Sequence, residues 1–214
     1  MAIYDSSKSK IYLKEYDLSA YTTSFEIGGG VGVRDVTTFA DTSEASIIGP
    51  QSPTASWEGL FDEGASGSDA AMADLIDDTS VKPVTIWPTG ISTKGDVGYG
   101  GDGRFANATV KSSVGNAVSM SAEFNIGRMS RLKLLNTGLV TYTGDYDAGD
   151  NDIDDGAATS RGGAFFIHIT AISGTWSILL SDSANGSSWA TAASVGLASV
   201  DSVQGYGKFS PAIC

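Results

Sequence analysis

Apolar and polar side chains alternate without a break between Val118 and Ile126, and this pattern constrains the fold more than any other feature of the chain. A period of two places the two sets on opposite faces of a β-strand and does not fit the 3.6-residue period of a helix. The pattern predicts a strand over Asn116–Ile126 with one face turned to a core. Its apolar members are Val118, Met120, Ala122, Phe124 and Ile126.

A second alternating run, Thr54–Phe61, predicts a strand with Trp57 on the apolar face and Glu58 on the other. The 27 glycines and the many Thr, Ser and Val residues favour an all-β chain with many turns. Ser113–Gly115 is expected to turn a hairpin, and Gly90–Gly103 is expected to be a loop. Further strands are predicted at Lys10–Tyr16, Thr22–Ile27, Val31–Val36, Val84–Trp87 and Arg104–Ser112.

One helix is predicted, over Asp69–Asp78, with Ser68 as its N-cap. Met72, Leu75 and Ile76 recur at helical spacing and form a narrow apolar stripe. Two aspartates at the C-terminal end oppose the helix dipole, so the helix should be short.

Composition changes after about residue 137, where Gly144–Gly156 holds six aspartates and is expected to be an exposed loop or linker. Ala164–Ile172 and Thr175–Ser181 are predicted to pair as a hairpin, and the tail from Ala190 has weak strand content. Two strands are marginal alone, so this part must gain strands from the tail, the first domain or a neighbouring subunit. The predicted division is a β-domain over 1–137, a linker over 138–160 and a small C-terminal β segment over 161–214.

The charge balance bears on the function. With 25 acidic and 13 basic residues the net charge is −12, and the basic residues form no cluster that could grip phosphates. The same charge disfavours anionic membrane surfaces, and no apolar run reaches the ~18–20 residues of a membrane helix. The N-terminus shows no signal peptide. Cys214 is the single cysteine, so an intramolecular disulfide is excluded.

Reactive groups are scarce, and we predict no catalytic residue, metal or cofactor. The only histidine, His168, stands in an apolar run and is expected to be structural. Asp150, Asp152 and Asp154 have the spacing of a calcium loop, but the glycine comes one place late and Arg161 replaces the bidentate Glu. The glycines of 95–103 lack the GK[ST] of a phosphate loop.

Three runs in fixed order carry a resemblance to a known family. They are D-L-S-A-Y from Asp17, D-V-T-T-F-A-D-T from Asp35 and W-E-G-L-F-D from Trp57. A short helix, a Gly-rich segment and the hairpin from Ala108 to Phe124 follow. Together these motifs, across residues 10–130, resemble the tail tube proteins of bacteriophages with long, non-contractile tails, which are related in fold to the type VI secretion tube protein.

The resemblance implies a mainly β fold, a β-sandwich or barrel with one short flanking α-helix, followed here by a small C-terminal β segment for which an Ig-like fold is one reading. It implies a structural virion protein, assembled in the host cytoplasm, that forms hexameric rings stacked into a tube through which DNA passes during genome ejection. Implied partners are other copies of itself and further tail components such as tape measure, terminator and distal tail proteins. DNA passes without specific binding, and no membrane is involved.

The resemblance also implies roles for two segments. The stretch Asp35–Gly49 would be an arm that reaches a neighbouring subunit. Our own hypothesis is that Thr37–Gly49 is mobile in the monomer and ordered in the tube. The helix would lie near a subunit boundary through Met72, Leu75 and Ile76. The arm residues are Asp35, Thr37, Phe39, Asp41, Ile47 and Ile48.

Two other functions stay open at the level of sequence. One is a virion β-sandwich that binds carbohydrate or a host surface through aromatic side chains. The other is a β-rich hydrolase that uses two carboxylates. The candidate stacking aromatics are Tyr4, Tyr12, Tyr16, Tyr21 and Trp189.

Overall fold

A computed structural model describes residues 6–36, 43, 46–51, 53–76, 78, 80–135, 141, 163–183, 188–197 and 202–207. Within them the protein is mainly β, with one short α-helix, as predicted. Contacts divide the chain into two compact units: unit 1 comprises 1–20, 82–100 and 130–214, and unit 2 comprises 21–81 and 101–129. The domain boundaries predicted near 137 and 161 stay a prediction.

The elements in chain order begin with a 3₁₀ turn at Ser6–Lys8. They continue with β1 (Lys10–Leu13), β2 (Tyr16–Asp17), β3 (Thr22–Gly28), β4 (Val31–Asp35), β5 (Ser46–Gln51), β6 (Thr54–Leu60), α1 (Ser68–Ile76), β7 (Lys82–Trp87), β8 (Val97–Lys111), β9 (Ser119–Lys133), β10 (Gly163–His168), β11 (Trp176–Ser183), β12 (Trp189–Leu197) and β13 (Ser202–Gly207).

Unit 2 holds the alternating strands that the sequence predicted. Its strand order is β8-β9-β6-β3, and β4 and β5 form a separate two-stranded ladder. Trp57 stands opposite Phe25 on one side and Ala122 on the other, while Ala55 stands opposite Phe124. These side chains share the apolar face, where Trp57 and Phe124 are almost fully buried.

Unit 1 has the strand order β2-β1-β7-β8, and the two-stranded ladders β10-β13 and β11-β12 belong to it. Its core includes Tyr12, Trp87 and Leu132, with Phe166 of β10 packed against them. The C-terminal tail therefore supplies two strands, β12 and β13. The predicted hairpin between Ala164–Ile172 and Thr175–Ser181 is wrong, because β10 pairs with β13 and β11 pairs with β12.

Only the first part of the glycine-rich segment 90–103 is the predicted loop, because β8 begins at Val97 and takes up residues 97–103. A Cβ at Gly98 would lie 2.4 Å from the Trp87 ring, and one at Gly100 would lie 2.8 Å from Leu132. These glycines therefore leave room for large side chains to lie directly on the strand. Glycine marks close packing at these positions, although it more often marks a turn.

The helix spans Ser68–Ile76, so it begins one residue before the predicted start and ends two residues before the predicted end. Ser68 does not act as the expected N-cap, since its buried hydroxyl donates to the Leu60 carbonyl at 2.7 Å and accepts from the Asp62 amide at 2.9 Å. The hydroxyl thus ties the start of the helix to the end of β6. Met72 and Leu75 are buried as predicted, but Ile76 is 58% exposed.

Candidate assembly surfaces

Strand β3 closes the strand order of unit 2, so that no other strand of the described chain lies along its outer edge. Its inner edge pairs with β6 from Thr22↔Gly59 to Gly28↔Thr54, with an irregularity between Thr22 and Ser24. A row of backbone donors and acceptors along an outer edge can pair with a strand of another chain. The edge of β3 is therefore the first surface through which a neighbour could extend this sheet.

Packing around Trp57 holds the start of β3 in place. The Trp57 indole Nε1 donates to the Thr22 hydroxyl at 2.7 Å. Its ring covers Gly59, where a Cβ would come within 2.3 Å of the ring and 2.7 Å of the Tyr21 carbonyl. The W-E-G order is thus a packing requirement, since only glycine fits beneath the ring.

The β4–β5 ladder overlaps the predicted arm, and from here on the name arm means this ladder. Two residues separate β3 from β4, and two separate β5 from β6. The register of the arm runs from Val31↔Gln51 to Asp35↔Ser46. Ile47 is 54% exposed and Val36 is 42% exposed. A two-stranded ladder is at best marginally stable in water, and exposed apolar side chains on it point to a contact outside the chain.

The predicted arm residues fall in two groups. Asp35 lies opposite Ser46, Ile47 opposite Arg34 and Ile48 opposite Val33, so three of them belong to the paired strands. Thr37, Phe39 and Asp41 lie outside the described residues.

The face of unit 2 opposite its apolar side is acidic. Glu26 stands across from Ser56, which stands across from Glu123, and the next row places Glu58 between Ser24 and Ser121. All three glutamates are exposed. Serines separate the carboxylates, which avoids the cost of like charges directly opposite one another. The result is a hydroxyl-rich, electronegative sheet face.

Three exposed apolar side chains that the sequence did not predict lie at the end of unit 2 where β6 and β8 finish. Val114 is fully exposed in the β8–β9 turn, Val110 is 54% exposed and Leu60 is 44% exposed. A shallow depression of about 90 Å³ lies at the same end of the sheet, lined by Glu58, Lys111 and Ser119 among others. The available signal was a valine between Ser113 and Gly115, since turns favour small and polar residues.

His168 of unit 1 is the structural histidine that the sequence suggested. Its Nδ1 lies 2.5 Å from the Lys14 carbonyl, which can only accept, so Nδ1 carries the proton. Nε2 then accepts from the Thr85 hydroxyl at 2.9 Å, and the ring stacks on Tyr12 with centroids 5.3 Å apart. Burial lowers the pKa of His168 to about 4, although the bond to the Lys14 carbonyl opposes this shift. The imidazole therefore stays neutral near pH 7 and fastens β10 to β1 and β7.

Of the aromatic residues proposed for sugar stacking, the structure describes the side chains of three, and none of these three is exposed. Tyr12 is buried, so it is not available as a stacking residue; its burial, and after it the nearby Asp17 charge, raises its pKa. Tyr16 and Tyr21 are half-buried. Tyr4 lies outside the described residues, and of Trp189 only the backbone is described.

The described part of the chain contains no group of three or more His, Cys, Asp or Glu side chains placed to hold a metal ion. The calcium-like run and Cys214 lie outside it. None of its helices has the length and apolar character needed to span a membrane.

Comparison with known proteins supports the fold. No protein-family model matches the chain, and no curated protein matches it. Among solved structures, a chain in the sheath/tube terminator of an extracellular contractile injection system, PVC, in its extended state, aligns at a TM-score of 0.50. The two are 8% identical over 62% of this chain and 98% of that one.

Two further structures are similar at lower scores. A chain of a native gene transfer agent virion aligns at a TM-score of 0.48, with 15% identity over 61% of this chain and 99% of that one. The SPP1 tail tube aligns at 0.44, with 16% identity over 73% and 94%. The fold comparison rests on the injection-system chain, and at this identity it concerns the fold alone. The described part of the chain thus shares the fold of that injection-system chain, and it is mainly β with one short helix, as the sequence predicted.

Proposed function

We propose that this chain is a structural subunit that assembles with copies of itself into the tube of a virion tail. The observation that carries the proposal is the arm, a two-stranded ladder with an exposed Ile47, attached to a sheet whose terminal strand β3 has no further strand on its outer edge in the described part of the chain. Such an edge is a liability in a monomer, and a neighbouring strand would remove it. The sequence resemblance to tail tube proteins agrees with a role in which such edges are used.

In the proposed ring, strand edges of adjacent subunits lie side by side and the order closes on itself. The resemblance in sequence gives six copies per ring. The arm leaves the sheet at the Gly28/Thr54 end and would order on a neighbouring copy, where Ile47 would be covered. Burial of such a side chain is worth about 1.5–3 kcal/mol per contact, and a ring repeats it at every subunit.

In the proposed tube, the acidic face would be the channel surface along which DNA slides. Glu26, Glu58 and Glu123 would repel phosphates, so the polymer meets few places to bind. This is the reverse of the counterion release by which Lys and Arg hold DNA. We propose that this face lines the bore and that no nucleic-acid sequence is recognised.

The remaining expectations belong to the same proposal. The subunit would act without catalysis, cofactor or metal, would reside in the virion tail after assembly in the host cytoplasm, and would contact other tail proteins such as those at the two ends of the tube. Neither the carbohydrate-binding nor the hydrolytic alternative gains a specific supporting observation: Tyr12 is buried, and the three glutamates of the acidic face lie on an exposed sheet.

Electron microscopy of concentrated protein tests the proposal. We expect annular particles of uniform diameter, stacking into hollow tubes as concentration rises, with mass photometry giving a six-fold multiple of the monomer. Hydrogen exchange at the β4 and β5 amides should be slow in the assembly and fast in the monomer. A chain that remains monomeric across salt, pH and concentration, with equal exchange throughout, would overturn it.

A further inference from the structure

Residues 17–19, the D-L-S run of the motif that begins at Asp17, lie beside β1 in unit 1. β2 pairs with β1 through only two pairs of residues, on the side of β1 away from β7. The Asp17 carboxylate accepts a hydrogen bond from the Ser19 amide at 3.0 Å, which is the turn that an aspartate forms with the backbone two residues on. Because of this turn, β2 ends at Asp17 after two residues.

The same run satisfies backbone groups of β1 beyond the end of β2. The Ile11 amide donates to the Ser19 hydroxyl at 3.0 Å, and the Leu18 amide donates to the Ile11 carbonyl at 3.0 Å. The Ser19 hydroxyl donates in turn to the Asp17 carboxylate, so the hydroxyl oxygen is turned to accept from Ile11. Leu18 is fully buried, and Ile11 is 4% exposed. Ser19 thus occupies the place that the carbonyl of a neighbouring strand would take.

Lys10 and Asp17 add charge to the same edge. Lys10 Nζ lies 3.1 Å from Asp17 Oδ2, and the two side chains are 38% and 24% exposed. Very short edge strands and charged side chains are two means by which β-proteins keep the strands of other chains from pairing. A strand of another chain could reach the Ile11 amide only by displacing Ser19, which would also take two hydrogen-bond donors away from the Asp17 carboxylate.

The strand at the other end of the sheet order differs in length and exposure. β3 has seven residues, Thr22–Gly28, and no strand of the described chain lies beyond it. Its residues Thr23, Ser24 and Glu26 are exposed. A strand of this length presents a longer row of backbone groups to a neighbour than the two residues of β2 do.

We infer that residues 17–19 form an edge cap, a conformational device that closes the outer edge of β1 to strands of other chains. This rests on the proposed function, in which strand edges of adjacent copies pair, and it specifies an edge that takes no part in the pairing. The bonds that hold the edge cap are made within one chain, so it is closed in the monomer and stays closed in the assembly. Strand addition is thereby directed away from β1 and towards β3.

Hydrogen exchange on the unmodified chain is the first test. The Ile11 amide should exchange slowly in the monomer and equally slowly in the assembly, because Ser19 already holds it. The outward amides of β3 should become slow only on assembly. Fast exchange at Ile11 in the monomer that becomes slow on assembly would overturn the inference, because a neighbouring copy would then be closing this edge.

Ser19→Ala opens the edge cap, since it removes the acceptor for the Ile11 amide and a donor to Asp17. Exchange at Ile11 should become roughly tenfold faster or more, as for the loss of one hydrogen bond. On concentration, the variant should form irregular aggregates that bind thioflavin T, because an open strand edge pairs with other chains. Ser19→Thr keeps the hydroxyl and should behave as the unmodified chain does.

Gly98→Ala is the matched control, because it crowds the Trp87 ring in the same unit and leaves the edge cap intact. It should lose stability without binding thioflavin T. Equal aggregation of Gly98→Ala and Ser19→Ala would make lost stability the cause and overturn the inference. A Ser19→Ala chain with fast exchange at Ile11 and no aggregation would overturn it as well.

The outcomes also separate this inference from the proposed function. Both exchange and thioflavin T binding compare preparations that begin as monomers, so an unmodified chain that never forms tubes overturns the proposed function alone. Regular tubes from Ser19→Ala, without irregular aggregates, overturn the edge cap and leave the tube function standing. The exchange rate of Ile11 in the unmodified monomer decides the inference even if Ser19→Ala does not fold.

Discussion

Unit 1 contains the two-stranded ladder β10–β13, and unit 2 contains the two-stranded ladder β4–β5. Neither has enough strands to be stable alone. The first is fastened to its own unit, because His168 bonds to the Lys14 carbonyl and Thr85, and Phe166 packs on the Trp87 cluster. The second carries Ile47 exposed to solvent. The first ladder is thus completed within its own chain, and we propose that the second is completed by a neighbouring copy.

The largest effect is expected from removing the packing that supports the β10–β13 ladder. Trp87→Ala, at a side chain 8% exposed, should lower the free energy of unfolding by about 3–5 kcal/mol, from lost burial and the cavity left behind. Urea denaturation of the monomer measures it. Leu179→Ala, an exposed position of the same unit, should change stability by less than about 0.5 kcal/mol. A Trp87→Ala variant as stable as Leu179→Ala would contradict the conclusion that this packing holds the β10–β13 ladder in place.

The next test uses pH to loosen the same ladder. The pKa of His168 is about 4 in the folded chain and about 6.5 when unfolded. Between these values the unfolded state binds a proton that the folded state does not, so stability falls as pH drops from 6.5 towards 4. The contribution, about 3 kcal/mol, is fully present above pH 6.5. His168→Gln should flatten this part of the stability curve relative to the unmodified chain, and an unchanged slope would argue against the bonds described.

A smaller effect is expected beneath Trp87. Gly98→Ala places a methyl group 2.4 Å from the indole ring, and overpacking of this kind costs about 1–3 kcal/mol. Gly28→Ala is the matched control, since a Cβ there meets nothing within 4 Å. Equal thermal unfolding of the two variants would mean that the glycine is not required for packing.

The smallest effect on the monomer should occur in the arm. Ile47→Asp is expected to change the unfolding free energy by less than about 0.5 kcal/mol, as for an exposed surface site, while it abolishes assembly. Denaturation and electron microscopy of the same sample report both properties. If the variant unfolds the monomer, the arm is part of the core of unit 2, and the contrast between the two ladders is lost.

The sequence by itself determined the sheet of unit 2. Alternation at Val118–Ile126 and Thr54–Phe61 specifies which side chains are buried, because a one-residue slip would turn every apolar group to solvent. It also predicted the presence of the helix and the structural character of His168. The sequence did not predict the exposure of Ile76, because helical spacing identifies an apolar stripe but not which of its residues are buried.

Only the tertiary structure decided what lies on the glycines and which strands pair. The run 97–103 has the composition of a loop, and it is a strand because Trp87 and Leu132, distant in sequence, occupy the space that side chains would fill. β10 pairs with β13 across more than thirty residues, although a nearer partner, β11, was available. Local propensity carries no information about such distant partners. The exposed Leu60, Val110 and Val114 likewise lie at one end of unit 2 only because the fold brings the end of β6 to the start of β9, where Leu60 pairs with Ser119.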